Sequence, residues 1–291
     1  MTALSVGWAA DAMANPVLTE DARLPRPPSI FDVRDMPPEL SVALDGDRAI
    51  IGDDLSLDGS NGQAVIYERD SSGEWTETAR LAPANVDGTA DRNGGSVALE
   101  GDRAVIAASG RVYVYERDAS GTWAEAATLA ASGFSTFTPR VVALSGNRVI
   151  VGVPNEVTES GRNSGSAYVY ERGPSGVWTE VAKLVPSDGM PRDDFGIAVA
   201  IVADRAIVGA QFSGPTGAGA AYVYERDSSG VWTEAAKLTA PDRAPREYFG
   251  RSVSYDGDRV IVGAFGADSR AGAAYVYEPT ASGSWTEAAK L

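Results

Sequence analysis

Two absences narrow what chemistry this chain could perform: it has no cysteine and no histidine. Without Cys there is no thiol nucleophile and no disulfide. Without His there is no Ser-His-Asp triad, no His-ligated zinc and no imidazole acid–base step. Any reaction would rest on carboxylates, Arg, Lys and Tyr, and lysine occurs only at Lys183, Lys237 and Lys290. The arginines and carboxylates recur in register. Arg48, Arg103, Arg148, Arg205 and Arg259 each open an apolar run, and Glu68, Glu116, Glu171, Glu225 and Glu278 each close the Tyr-containing run that follows. If the two runs are antiparallel strands, these ends meet as cross-strand ion pairs. A pair present in every copy is structural rather than catalytic, and at an exposed rim each contributes about 0–1 kcal/mol.

One stretch has the alternating oxygens of a calcium loop: Asp54, Ser56 and Asp58, followed by Gly59. Calcium needs six to eight oxygens. Gly62 and Val65 stand where the closing ligands would fall. The stretch reads as a solvated turn, with Asp54, Ser56 and Asp58 as weak metal candidates, and no cofactor is expected.

The elements that position these residues are strands. Phe249–Leu291 divides into SVSY, RVIVGA, AAYVYE and WTEAAKL, separated by turn residues. Val260-Ile261-Val262 and Tyr275-Val276-Tyr277 carry the β-branched and aromatic enrichment of strands. The first two strands meet at Asp256-Gly257, a pairing that suits a primed hairpin turn with φ > 0 at both central residues. The last two meet across Ala281-Ser282-Gly283. The same unit recurs upstream around Trp75, Trp123, Trp178 and Trp232, so the copies lie about 50 residues apart, the period of a repeat architecture. Four strands per copy with no helical pattern between them predict the blades of an all-β propeller. The full blades are 40–81, 95–129, 140–184, 195–238 and 249–291 of a single domain spanning 1–291. The repeated Trp is a blade-packing residue.

Phe249-Gly250 ahead of the first strand and Val262-Gly263-Ala264 closing the second resemble the FG-GAP repeat, the unit of the integrin α-chain propeller. Blade four matches with Phe195-Gly196 and Val208-Gly209-Ala210. Blade three keeps Val151-Gly152-Val153-Pro154 but has Pro139-Arg140 in place of Phe-Gly. Blade two has Gly94-Gly95, and blade one has lost the pair. The resemblance implies an exported or cell-surface bacterial protein, in an adhesion or protein-binding role. Repeats of this kind often carry an Asp-rich calcium loop between strands one and two. Here that position shrinks to Asp45-Gly46, Glu100-Gly101, Ser145-Gly146, Val202-Ala203 and Asp256-Gly257, too short to wrap the ion. The turn Asp70-Ser71-Ser72-Gly73-Glu74-Trp75 resembles the Asp-box of sialidase-like propellers, but its Gly and Trp are one residue too close and Arg69 replaces the leading Ser.

Residues 1–24 read as a half blade, because Ser5–Leu24 can be laid without a gap on Gly219–Leu238. The apolar stretch near Met1 is short, lacks a basic flank and is broken by Asp11, so no secretory signal is read there. A Pro-rich connection, 25–39, leads into blade one. The last blade already owns its fourth strand, so the half blade has no obvious complement. Either the ring of six or seven blades closes imperfectly, or the polypeptide is part of a longer one. The seven blades of integrin-like rings favour the second. The net charge of −15 argues against nucleic acid as a partner. No apolar run is long enough for membrane insertion.

Turns between strands one and two, and between three and four, are short and repetitive. Loops between strands two and three, and between blades, vary in length and chemistry. In an up-and-down blade the two variable classes emerge on one side, as a recognition surface would. The expected function is therefore a non-enzymatic binding module that takes a protein or glycan ligand on that face. Candidate binding residues are Arg162, Phe212, Arg246, Tyr248, Asp268 and Arg270, and no catalytic residue is assigned. The alternative is a carboxylate-dependent, sialidase-like glycosidase. The metal reading is open to a direct check. Chelator is expected to leave the melting temperature nearly unchanged, whereas a ligand at 100 times its Kd stabilises by about 2.7 kcal/mol. A clear drop, restored by calcium and abolished by Asp54→Ala with Asp58→Ala, would place an ion in the blade-one loop.

Overall fold

The computed structural model describes residues 40–53, 63–82, 95–108, 110–130, 139–214 and 216–291. The half blade 1–24 and the loop holding Asp54, Ser56 and Asp58 lie outside them. The described residues form five four-stranded antiparallel sheets, each in simple sequence order. Blade one comprises Leu40–Asp45, Arg48–Asp53, Gln63–Arg69 and Trp75–Leu81. Blade two comprises Ser96–Glu100, Arg103–Ala108, Arg111–Arg117 and Trp123–Leu129. Blade three comprises Val141–Ser145, Arg148–Val153, Ser166–Arg172 and Trp178–Leu184. Blade four comprises Phe195–Val202, Arg205–Ala210, Ala220–Arg226 and Trp232–Leu238. Blade five comprises Phe249–Tyr255, Val260–Ala264, Ala273–Pro279 and Trp285–Lys290. This is a β-propeller architecture.

Strands two and three carry apolar residues on both faces, as suits blades such as two, three and four, each sandwiched between described neighbours. The core is correspondingly divided into layers between blades. Ile50 and Ile66 of blade one meet Val97, Leu99 and Ile106 of blade two. Ile207 and Val223 of blade four meet Phe249, Val262 and Tyr275 of blade five. Trp123, Trp178, Trp232 and Trp285 are half-buried and close the outer ends of these layers. The first strands of all five blades line a central channel of about 220 Å³ with Ala43, Ala98, Ala143, Ala200 and Tyr255 among its wall residues. Among the described residues no carboxylate lines it.

Phe195 and Phe249 are fully buried and sit edge-on to the tyrosines of their own third strands, Phe195 against Tyr222 at 5.5 Å and Phe249 against Tyr277 at 6.0 Å. The glycine after each Phe has φ of 92° or 88°, which glycine adopts without the Cβ penalty. Its carbonyl reaches the preceding blade. A Cβ on Gly152 would collide with the carbonyl oxygen of Gly196, and one on Gly209 with that of Gly250. The two glycines of the motif therefore serve one contact, between strand two of one blade and strand one of the next.

Two local features differ from the sequence reading. The tight turns centre one residue later than expected, because Asp45 pairs with Arg48, Glu100 with Arg103, Ser145 with Arg148 and Val202 with Arg205. Only the first central residue has positive φ: Gly46, Gly101, Gly146 and Ala203. That is the pattern of a type II′ turn, where glycine at the first position suffices. Blade five widens its turn, with Tyr255 opposite Val260. Between strands three and four every blade shifts register by one residue, at Ile66/Tyr67, Val114/Tyr115, Val169/Tyr170, Val223/Tyr224 and Val276/Tyr277. These bulges add twist to the outer strand.

The glycine contact can be tested. Gly209→Ala is expected to cost about 1–3 kcal/mol, as overpacking against backbone does. Gly173→Ala, whose nearest non-neighbour atom would be 3.7 Å away, is expected to stay within about 0.5 kcal/mol. Equal melting of the two variants would remove the interlock.

Candidate functional site

On the short-turn face the five expected ion pairs form: Arg48 to Glu68 at 3.1 Å, Arg103 to Glu116 at 3.1 Å, Arg148 to Glu171 at 3.5 Å, Arg205 to Glu225 at 2.6 Å and Arg259 to Glu278 at 2.5 Å. They also reach forward. Arg48 donates to the Gly101 carbonyl at 2.7 Å, and Arg148 to the Ala203 carbonyl at 2.9 Å. Arg172 joins Glu116 of the preceding blade at 2.9 Å. This face is a repeated latch between blades, and its grooves repeat with it.

The opposite face is built differently. Strands three and four place Tyr168 opposite Lys183, Tyr222 opposite Lys237 and Tyr275 opposite Lys290, so the chain's three lysines all occupy one register position. Each ammonium lies over its tyrosine ring, at 5.4, 5.0 and 5.4 Å, and both polar tips grip a loop carboxylate. Glu156 is buried and accepts from Tyr168, Lys183 and Ser166. Asp188 accepts from Tyr222 at 2.9 Å and Lys237 at 2.6 Å. Asp242 accepts from Tyr275 at 2.8 Å and Lys290 at 2.6 Å, and Lys290 also reaches Asp268 at 2.9 Å. Blades one and two have Val65 with Arg80 and Tyr113 with Thr128 at these positions. The clamps fix loops to the sheet. Bonds from Lys290 and Tyr275 hold Asp242 below the usual carboxylate range. Burial would raise Asp188, but bonds from Lys237 and Tyr222 outweigh it.

Loops of blades four and five meet at their junction. Tyr248 stacks on Phe265, centroids 4.6 Å apart and planes 6° off parallel, and Phe212 meets Tyr248 edge-on at 5.5 Å. Phe265 is 55% exposed and Phe212 37%. The backbone beneath is strained. Arg246 and Tyr248 have φ of 62° and 57°, and Asp268, Ser269 and Arg270 follow one another at 50°, 59° and 74°, a region that costs non-glycine residues about 1–3 kcal/mol each. Gly266 lies where a Cβ would collide with the carbonyl of Arg246, and its N–H donates to Glu247 O at 3.0 Å.

Of the sequence candidates, Phe212 and Tyr248 are in contact, Arg246 is two residues from Tyr248, and Asp268 is tied to Lys290. Arg270 is exposed on the turn after Phe265. Arg162 is exposed one blade away, its carbonyl accepting from Arg192 N at 2.9 Å. Phe265 was missed. Comparing the repeats could have found it: in blade four the corresponding residues are Asp194 and Gln211, hydrogen-bonded at 3.0 Å, and blade five replaces that polar pair with two aromatics.

The protein is a β-propeller with a uniform latch face and a loop-bearing face. The FG-GAP repeat family model matches residues 178–224 and 232–277. No curated protein matches. A solved protein from Lactobacillus plantarum is similar, with a TM-score of 0.52 and 17% identity over 83% of this chain and 67% of that one, a likeness of fold. No described helix is long and apolar enough to cross a membrane.

The clamp predicts a pH dependence. A carboxylate held below its ordinary value of 3.8 contributes stability that is present above that pH and lost as pH falls further. Lys290→Met is expected to move the acid limb of unfolding to higher pH and leave the neutral plateau flat. An unchanged acid limb would show that Asp242 does not depend on Lys290.

Proposed function

We propose that this propeller is a non-enzymatic binding module of an exported or cell-surface bacterial protein, taking a protein or glycan ligand on its loop face. One observation carries the reading: the solvent-facing stack of Tyr248 on Phe265, extended by Phe212. Aromatic faces held rigid at the surface supply contact area at little entropic cost. Strained backbone held in place by clamps is what a preformed site requires. Arg246, two residues before Tyr248, and Arg270, on the turn after Phe265, are exposed and offer donors to a carboxylate or carbonyl.

The glycosidase reading has a narrower observation behind it. Asp193 and Asp194 are both raised by burial, as a general acid would be. Each is already engaged, however. Asp193 accepts from Met190 N at 2.9 Å, and Asp194 from Gln211. Neither lines the central channel.

The test is a parallel screen of immobilised glycans and extracellular polypeptides with the parent chain and with Phe265→Ala, Tyr248→Ala and Arg246→Ala. Binding is expected to fall at least tenfold in the variants, with Phe265→Ala melting within about 0.5 kcal/mol of the parent. Binding indifferent to all three would move the site elsewhere. Turnover of chromogenic glycosides, lost in Asp193→Asn or Asp194→Asn, would favour the enzyme.

A further inference from the structure

Arg69, Arg117, Arg172 and Arg226 end strand three in blades one to four, and Pro279 stands at that position in blade five. Each of the four arginines donates its backbone N–H at 2.8 Å to the tight turn of its own blade, at the carbonyl of Asp47, Asp102, Asn147 or Asp204. In blades two to four the side chain also reaches the strand-three glutamate of the preceding blade. Arg117 lies 3.3 Å from Glu68 and Arg226 3.5 Å from Glu171. Arg172 sets Nε and Nη2 at 2.9 and 3.1 Å from the two oxygens of Glu116. Arg117 and Arg226 pair in addition with Asp102 and Asp204 of their own turns.

Pro279 supplies neither group. It has no N–H to hold the turn, and the turn of blade five is the one that widens, with Tyr255 opposite Val260. It has no guanidinium either. A Cβ on Gly121, Gly176 or Gly230 would lie 3.1–3.2 Å from Nη2 of the latch arginine, whereas one on Gly283, at the same turn position of blade five, would meet nothing within 4 Å. Glu225 is therefore left with Arg205 of its own blade, whose Nε and Nη2 both fall on Oε1, at 2.9 and 2.6 Å. No described residue bonds its Oε2. The Glu225 side chain is 42% exposed, against 27–29% for Glu68, Glu116 and Glu171. A groove of about 380 Å³ opens there, between Arg205 and Glu225 of blade four and Tyr255 and Gly257 of blade five. All of these wall residues are described.

Three occupied places thus define the chemistry of the fourth. We propose that the groove between blades four and five is a binding site for a guanidinium group brought from outside the chain. Glu225 Oε2 and the exposed Asp258, the counterpart of Asp102 and Asp204, receive its N–H groups as their counterparts receive the internal arginine. A guanidinium suits this place better than an ammonium, because its planar fork meets a carboxylate with two N–H groups at once. Arg205 beside the groove is no bar, since Glu116 holds Arg103 and Arg172 together. The chain's net charge of −15 favours a cation. A polypeptide arginine and a small guanidinium compound present the same group, and the probes below separate them. A pair this exposed is weak, so selectivity rather than affinity is the readout. The groove lies on the short-turn face, away from the aromatic loops, and does not depend on them.

The probes are methylguanidinium and a Gly-Arg-Gly peptide blocked at both ends, titrated into the full chain and followed by the backbone amide NMR signals of Glu225, Tyr255 and Gly257. Saturable shifts are expected at these residues with Gly-Arg-Gly, several-fold weaker with Gly-Lys-Gly and absent with the neutral Gly-citrulline-Gly. Glu225→Gln is expected to weaken binding at least tenfold, and Asp258→Asn several-fold without moving the melt. Pro279→Arg supplies the missing guanidinium from within. It is expected to weaken the probes at least tenfold and to melt no earlier than the parent. Response to methylguanidinium alone identifies a small cation as the ligand, and response to both probes an arginine side chain. Absence of shifts with both probes, an equal response to Gly-citrulline-Gly, or undiminished binding by Pro279→Arg overturns the site.

Discussion

From blade three to blade five the fold depends on one close contact, the approach of backbone to backbone where strand two of a blade passes strand one of the next. The carbonyl of Gly196 lies where a Cβ of Gly152 would be, and that of Gly250 where a Cβ of Gly209 would be. Side chains can repack around a lost methylene, but two backbones this near each other cannot separate without moving both sheets. The contact sets blade spacing, buries Phe195 and Phe249 over the tyrosines of strand three, and lets Ile207 meet the next blade's core. Where the motif is incomplete, in the early blades, a serine hydroxyl bonds across instead.

The two sides of the disc use repetition to different ends. On the short-turn side the same Arg–Glu pair, forward-reaching, is repeated from blade to blade. Each pair is partly solvated and worth little alone, and their value is in fixing the relative position of neighbouring turns. On the loop side repetition stops at the sheet. Lysine over tyrosine recurs in blades three, four and five, but the carboxylate it holds comes from the loop after strand two in blade three and from the inter-blade loop in blades four and five. A constant anchor with a variable tether allows loops to differ in sequence and still be held. The aromatic stack grows from that arrangement: the position that pairs Asp194 with Gln211 in blade four pairs Tyr248 with Phe265 in blade five.

Much was legible in the order of residues. Strand identity, the four-strand unit, the pairing of Arg48 with Glu68 and its four repeats, and the division into uniform and variable loops all follow from periodicity and turn chemistry. These are local or repeated signals, and a repeat makes every copy a witness for the others. The turn centres were read one residue early because Asp-Gly satisfies a primed turn in either register, and only the cross-strand pairing of Asp45 with Arg48 decides which. The bulge before each outer tyrosine left no mark in an alternating run.

By itself, the sequence determined that the chain builds propeller blades, because strand length, turn residues and glycine placement act within a few residues of one another. Tertiary structure alone decided which singular residues meet. Phe212, Tyr248 and Phe265 come from three different loops, and their contact depends on the angle between two blades. The role of the three lysines was likewise hidden, since each reaches back to a carboxylate 27, 49 or 48 residues earlier.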